Sequence, residues 1–162
     1  MIPFSREERE WFLRNLAKGL LDYFGVTEPP VQVEEMLKQP PPIFDMDFGV
    51  VDMYSKLWDA TFARPPSRRG SIFVRIDLEQ DERRFALARE MLSALITSKH
   101  GRALGLPDLL LPHLRESAEY FARYLLIPDV LLNAYRVNGG KRQDFADRFQ
   151  IPPQIASVRW AD

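Results

Sequence analysis

Three side chains at i, i+1 and i+4, Arg89, Glu90 and Ser93, stand at the spacing from which zinc-dependent hydrolysis is commonly built. In the pattern H-E-x-x-H, two histidines four apart share one helix face and ligate the metal, while the glutamate between them activates the metal-bound water. In Arg89-Glu90-Met91-Leu92-Ser93 the histidine positions carry an arginine and a serine, and Glu90 alone is retained. A guanidinium has five N–H donors, no lone pair to offer and a pKa above about 12, so it cannot ligate zinc. A serine hydroxyl is a poor replacement for imidazole. Glu90 reads either as a vestigial general base or as an inherited carboxylate now held by a cation. Without a metal to bring the pKa of a water to about 7, a carboxylate by itself gains little.

Arg89 has two readings. It supplies the positive charge that a metal would have supplied, pairing with Glu90, Glu116 or Glu119 across two facing helices, or it points to solvent. No metal and no other cofactor is expected at these positions. The histidines of the chain are His100 and His113. His100 lies ten residues beyond Glu90, about 15 Å away by helical rise, and His113 reads as a helix-start residue that could approach from the next helix.

The elements that would carry these groups are legible from period and punctuation. Ser5 and Glu8 have the spacing of a capping box, and Phe12, Leu13, Leu16, Leu20, Tyr23 and Phe24 recur with helical period up to Gly25, which predicts a helix over 6–24. Pro29-Pro30 introduces a short helix within Val31 to Leu37, ended by Pro40-Pro41-Pro42. Residues 43–58 have no clean period. Segments 59–64 and 71–77 are β-favouring and flank a turn rich in proline and arginine, which predicts a hairpin with a solvated loop.

A helix over about 81–99 presents Phe85, Ala88, Met91, Leu92, Leu95 and Ile96 on a broad apolar side. Pro112 is placed to open a helix through Leu126 with Ala118, Phe121, Ala122 and Leu125 inward, and a helix from Pro128 to about Arg136 follows. Two short helices then flank Gln150-Ile151-Pro152-Pro153. That last pair superficially resembles a helix-turn-helix. Residues 141–162 hold four basic and three acidic side chains, a weak counterweight to phosphate, so direct nucleic-acid contact is not expected. Trp11, Trp58 and Trp160 are expected to pack in the core.

A chain of 162 residues with 46% hydrophobic residues is expected to form one domain over 1–162 with its own core. Its formal net charge of -1 provides no general field for polyanions or membrane surfaces. The absence of cysteine excludes disulfides, thiolate metal sites and a thiol nucleophile. No signal-peptide core opens the chain and no run of about 18 apolar residues occurs, so a cytoplasmic protein is expected.

Four segments, in order, resemble the ImmA/IrrE family of zinc metallopeptidase-like domains of bacteria and their phages. Pro29-Pro30-Val31-Gln32-Val33-Glu34-Glu35 is similar to the family's PPVDVEE entry, and Gly70-Ser71-Ile72-Phe73-Val74 to its G-x-I-x-V strand. The run from Arg84 to Glu90 is similar to R-F-T-x-A-H-E, and Glu119 to Pro128 to A-N-x-F-A-x-x-L-L-M-P. The resemblance implies an α+β, mainly helical, zincin-like domain with a small antiparallel sheet. It also implies a third metal ligand, a Glu just before the last segment. Here the aligned positions carry Arg115 and Ser117, with Glu116 out of register, and Leu92 stands where a small glycine is usual.

The expectation that follows is a pseudoenzyme: a peptidase-derived regulatory or protein-binding domain. Its former metal-site positions are Arg89, Ser93, Glu116 and Glu119, and its partner is a protein such as a helix-turn-helix transcriptional regulator. The alternatives are a zinc peptidase with an unusual ligand set acting on such a repressor, and a DNA-binding regulator.

Overall fold

The first helix, α1, runs Arg6–Phe24 and is closed at both ends by local chemistry. The Ser5 hydroxyl accepts from the Glu8 N–H at 3.2 Å and the Glu8 carboxylate accepts from the Ser5 N–H at 2.8 Å, while Gly25 ends the helix in the left-handed region at φ 65°. In this computed structural model, residues 4–44, 48–66 and 69–162 are described, Phe48 by its backbone alone. Positions 67 and 68 of the arginine-rich turn lie outside them.

After α1 come α2 (Val33–Lys38), a short 3-10 turn at Pro42–Phe44, and strands β1 (Phe48–Met53), β2 (Ala60–Ala63) and β3 (Gly70–Arg75). Helix α3 (Gln80–Ile96) follows, then α4 (Lys99–Ala103), α5 (Leu106–Leu110), a 3-10 turn at Leu111–His113 and α6 (Leu114–Leu126). The chain ends in α7 (Asp129–Val137), α8 (Arg142–Phe149) and α9 (Pro153–Ala161). The mainly helical α+β class is what the sequence led one to expect. The predicted hairpin is present, with Ala60 opposite Val74 and Ala63 opposite Ser71 in antiparallel register.

The sheet as a whole is not antiparallel. Its order is β1-β3-β2, and β1, from the segment with no readable period, lies parallel to β3 with Phe48 opposite Gly70 and Met53 opposite Arg75. A parallel neighbour is reached through a long connection, so no local turn signal announces it. Along β3 burial alternates, with Ile72 and Val74 fully inside, as the period of a strand requires.

Helix α3 is the central element. It packs against α6, β3, β2 and α2, and Ala86, Leu87, Ala88, Met91, Leu92, Ala94, Leu95 and Ile96 are all buried. Burial on nearly every side marks a core helix rather than a surface one. The single helix predicted to 99 stops at Ile96. There the Ser98 hydroxyl donates to the Leu95 carbonyl at 2.6 Å and accepts from the Gly101 N–H at 3.0 Å, turning the chain into α4. Gly101 permits the approach, since a Cβ there would lie 2.4 Å from the Leu95 carbonyl oxygen.

Candidate functional site

Arg89 and Glu90 lie in the middle of α3, on the part of the helix that faces the start of β2. The Arg89 guanidinium forms a two-pronged bond to Asp59, Nη1 to Oδ2 at 2.9 Å and Nη2 to Oδ1 at 2.6 Å. The same group reaches back to Oε1 of Glu90, with Nε and Nη2 each at 3.3 Å. One cation thus serves two carboxylates. The fork geometry matches the carboxylate in the way a lysine ammonium cannot. Arg89 and Glu90 are largely shielded, with side chains 18% and 17% exposed, whereas the Asp59 side chain is 43% exposed.

The ionisation of the three groups follows from that placement. For Asp59, burial opposes the charged form, but the hydrogen bonds and charge of Arg89 and the Ala60 N–H outweigh it and hold the carboxyl below its usual range. Burial likewise works against the charge on Arg89, and Asp59, with Glu90 behind it, more than restores it. Burial wins at Glu90, whose carboxyl is pushed up despite Arg89, with the negative charge of Asp59 adding to the rise.

The other expected members of the cluster are elsewhere. Glu116 is an exposed residue at the start of α6 and pairs with Arg9 of α1 at 3.4 Å. Glu119 sits one helical turn from Arg115, at 3.7 Å. Arg89 therefore pairs with Glu90, as one of the three expected partners, but not with Glu116 or Glu119. Its principal partner is Asp59, which belongs to no motif of the sequence. The signal for Asp59 was faint: an acid heading a β-favouring segment some 30 residues before the helix it meets.

Ser93 is half-buried, and its carbonyl accepts from the Thr97 hydroxyl at 2.6 Å. Ser117, which the resemblance aligns with an acidic position, is fully buried, and its hydroxyl has no hydrogen-bond partner among the described residues. Leu92 is fully buried and fills space in the core. His100 sets its ring edge-to-face on Phe44, 5.8 Å between centroids, and His113 is exposed in the second 3-10 turn.

Zinc, which the resemblance implies, does not fit this donor set. Arg89 has no lone pair, and the carboxylates nearest to it, Asp59 and Glu90, already accept its N–H groups. Among the described residues no three His, Asp or Glu side chains converge in a way that could hold a metal ion.

A protein-family model, the IrrE N-terminal-like domain of Peptidase_M78, matches residues 41–161. The chain belongs to the IrrE N-terminal-like domain family. No curated protein shows significant similarity to it. Among solved structures, this IrrE-like chain is similar to a Mycobacterium tuberculosis transcriptional regulator at 16% identity, with a TM-score of 0.60 over 92% of its own length. It spans 46% of that longer protein, and at this identity the likeness is one of fold.

Trp11 and Trp58 are 61% and 57% exposed rather than packed inside, while Trp160 is half-buried with its ring tilted against Phe145, 5.1 Å between centroids. In the tail of the IrrE-like domain, Arg159 is buried and donates to the Ile127 carbonyl at 2.9 Å and to Asp129, and Arg148 donates to the Pro29 carbonyl. Both guanidiniums brace the fold. In the arginine-rich turn, Arg64 donates to the Ala94 carbonyl at 3.3 Å and lies 5.4 Å from the Phe62 ring, so it is anchored rather than solvated. Among the described residues no helix is long and apolar enough to cross a membrane.

Proposed function

We propose that this chain is a non-catalytic regulatory or protein-binding domain derived from a zinc metallopeptidase, with a fixed guanidinium standing where a metal ligand would be. The observation that supports the reading most directly is the two-pronged Asp59–Arg89 pair with Glu90 bonded to the same cation. A general base must be free to take a proton from a water and needs an activated water beside it. Glu90 instead accepts, at 3.3 Å, from the guanidinium of a neighbour on its own helix. In this reading the Asp59–Arg89 pair ties β2 to α3 and keeps the shape of a peptidase fold after the chemistry has gone, while Glu90 is an inherited carboxylate held by the same cation.

The reading includes one domain over residues 1–162, a cytoplasmic location and a protein partner, with a helix-turn-helix transcriptional regulator as the class. The similarity in fold to a protein described as a transcriptional regulator is compatible with that partner class. Direct DNA binding has less in its favour, because Arg148 and Arg159, two of the four tail cations, are used internally.

Elemental analysis tests the proposal. After incubation with excess zinc and desalting, the protein should retain far less than one zinc per chain. Stoichiometric zinc, removable by chelator and accompanied by cleavage of a repressor-like protein, would overturn it in favour of a peptidase with an unusual ligand set.

A further inference from the structure

Helix α1 buries Arg9, Leu13, Ala17, Leu20 and Leu21 and turns a different stripe to solvent. That stripe reads Trp11, Arg14, Lys18, Asp22, at intervals of three and four residues and therefore on one face, and it ends at the left-handed Gly25. Trp11 is 61% exposed, an unusual setting for so large an apolar ring. Beside the stripe a groove of about 320 Å³ opens between α1 and the corner where α6 meets α7, with Leu21, Val26, Tyr124, Pro128 and Val130 in its walls. Among the described residues, none of the ion pairs uses Arg14, Lys18 or Asp22.

The order of charges along this face is self-complementary. Two copies of α1 laid antiparallel about a two-fold axis at Lys18 set Arg14 of each against Asp22 of the other, so one ion pair occurs twice. Trp11, about 10 Å from that axis by helical rise, falls at Gly25 of the second copy. Among the described residues no heavy atom lies within 4 Å of where a Gly25 side chain would begin, so the surface is open where the second copy's Trp11 would arrive. Val26, the next residue, is a wall of the groove. The two Lys18 side chains meet at the axis, where their long stems can diverge and keep both ammonium groups in water. Each half of the contact thus carries an ion pair close to the axis and an apolar anchor at its outer end, beside the groove.

We propose that the Trp11–Asp22 face of α1, with the groove beside it, is a two-fold interface between two copies of this chain. The test is sedimentation velocity on the 162-residue chain over a concentration series up to about 500 μM. Wild type should show a concentration-dependent monomer–dimer equilibrium. Arg14→Asp places like charges together twice, as does Asp22→Arg, so each should weaken dimerisation by at least about tenfold, and Trp11→Ala should do the same. An equimolar mixture of Arg14→Asp and Asp22→Arg should recover the dimer, because opposite charges then face each other again in both pairs. All three positions are exposed, and unchanged circular dichroism and urea midpoints would show that the variants fold. A wild type that stays monomeric throughout overturns the proposal and leaves the face to a different protein. A dimer indifferent to both charge reversals, or a mixture that fails to recover it, overturns it equally.

Discussion

The guanidinium of Arg89 presents its nitrogens to two carboxylates, and its removal would leave Glu90 shielded from water with no counter-charge. Arg89→Ala should therefore lower unfolding free energy by about 1–3 kcal/mol, the lower part of the range applying if the exposed flank of Asp59 is well screened by solvent. Arg89→Lys should recover only part of this, since an ammonium keeps the charge and loses the fork. Urea titration at pH 7 reads both. The pH dependence separates the two acids. Folding favours ionised Asp59, so its stabilisation is complete above the ordinary aspartate value of 3.8 and disappears as pH falls through its lowered value. Folding favours protonated Glu90, so its contribution is best at low pH and is lost as pH rises past the ordinary 4.5 and through its raised value. The deficit of Asp59→Asn should thus shrink in acid, whereas Glu90→Gln should gain on wild type as pH rises and equal or exceed it at neutrality. A Glu90→Gln variant much weaker than wild type at pH 7 would contradict this assignment.

Between elements, two residues fasten α3 to its surroundings. Arg84, buried on α3, donates to the Val31 carbonyl at 3.2 Å, to the Gln150 carbonyl at 3.2 Å and to the Gln150 side chain at 2.9 Å. It joins the segment before α2 to the turn between α8 and α9, where Gln150 is left-handed at φ 53°. Burial lowers the pKa of this guanidinium, and the more distant charges of Asp81 and Glu34 offset it in part. Arg84→Met strands three acceptors and should cost about 2–4 kcal/mol, with proteolysis opening first at the α8–α9 turn. At the other end of α3, Gly101→Ala would drive a methyl into the carbonyls of Leu95 and Ile96, at 2.4 and 2.6 Å. Backbone cannot withdraw as a side chain can, so a loss of about 2–4 kcal/mol is expected in the same urea assay.

At the scale of the molecule, one contiguous apolar cluster joins α1, α2, α3, α6 and the tail helices, from Leu13 to Ala156. A structural zinc would couple its binding free energy to folding, and a chelator would unfold or soften the protein. The thermal midpoint should instead move by no more than about 1 °C with excess chelator or with added zinc, as read by differential scanning calorimetry. A larger rise with zinc would place a metal in the native state.

Local pattern by itself determined much of this protein. The capping box at Ser5 and Glu8, the stop at Gly25, the apolar breadth of α3 and the inward positions of α6 are interactions between residues three or four apart, and they read directly from the chain. So does the adjacency of Arg89 and Glu90, which share one turn of helix. Contacts between distant segments were decided only by packing. Asp59 reaches Arg89 across 30 positions, β1 joins β3 in parallel without a turn to signal it, and Arg159 is drawn inside by Ile127 and Asp129. Trp11 and Trp58 lie outside, while leucines, methionines and phenylalanines are among the residues that fill the core. Hydrophobicity favours burial without choosing which large residue is buried, and a charge seeks an opposite charge without naming it. The choice belongs to the geometry in which the helices and the sheet come together.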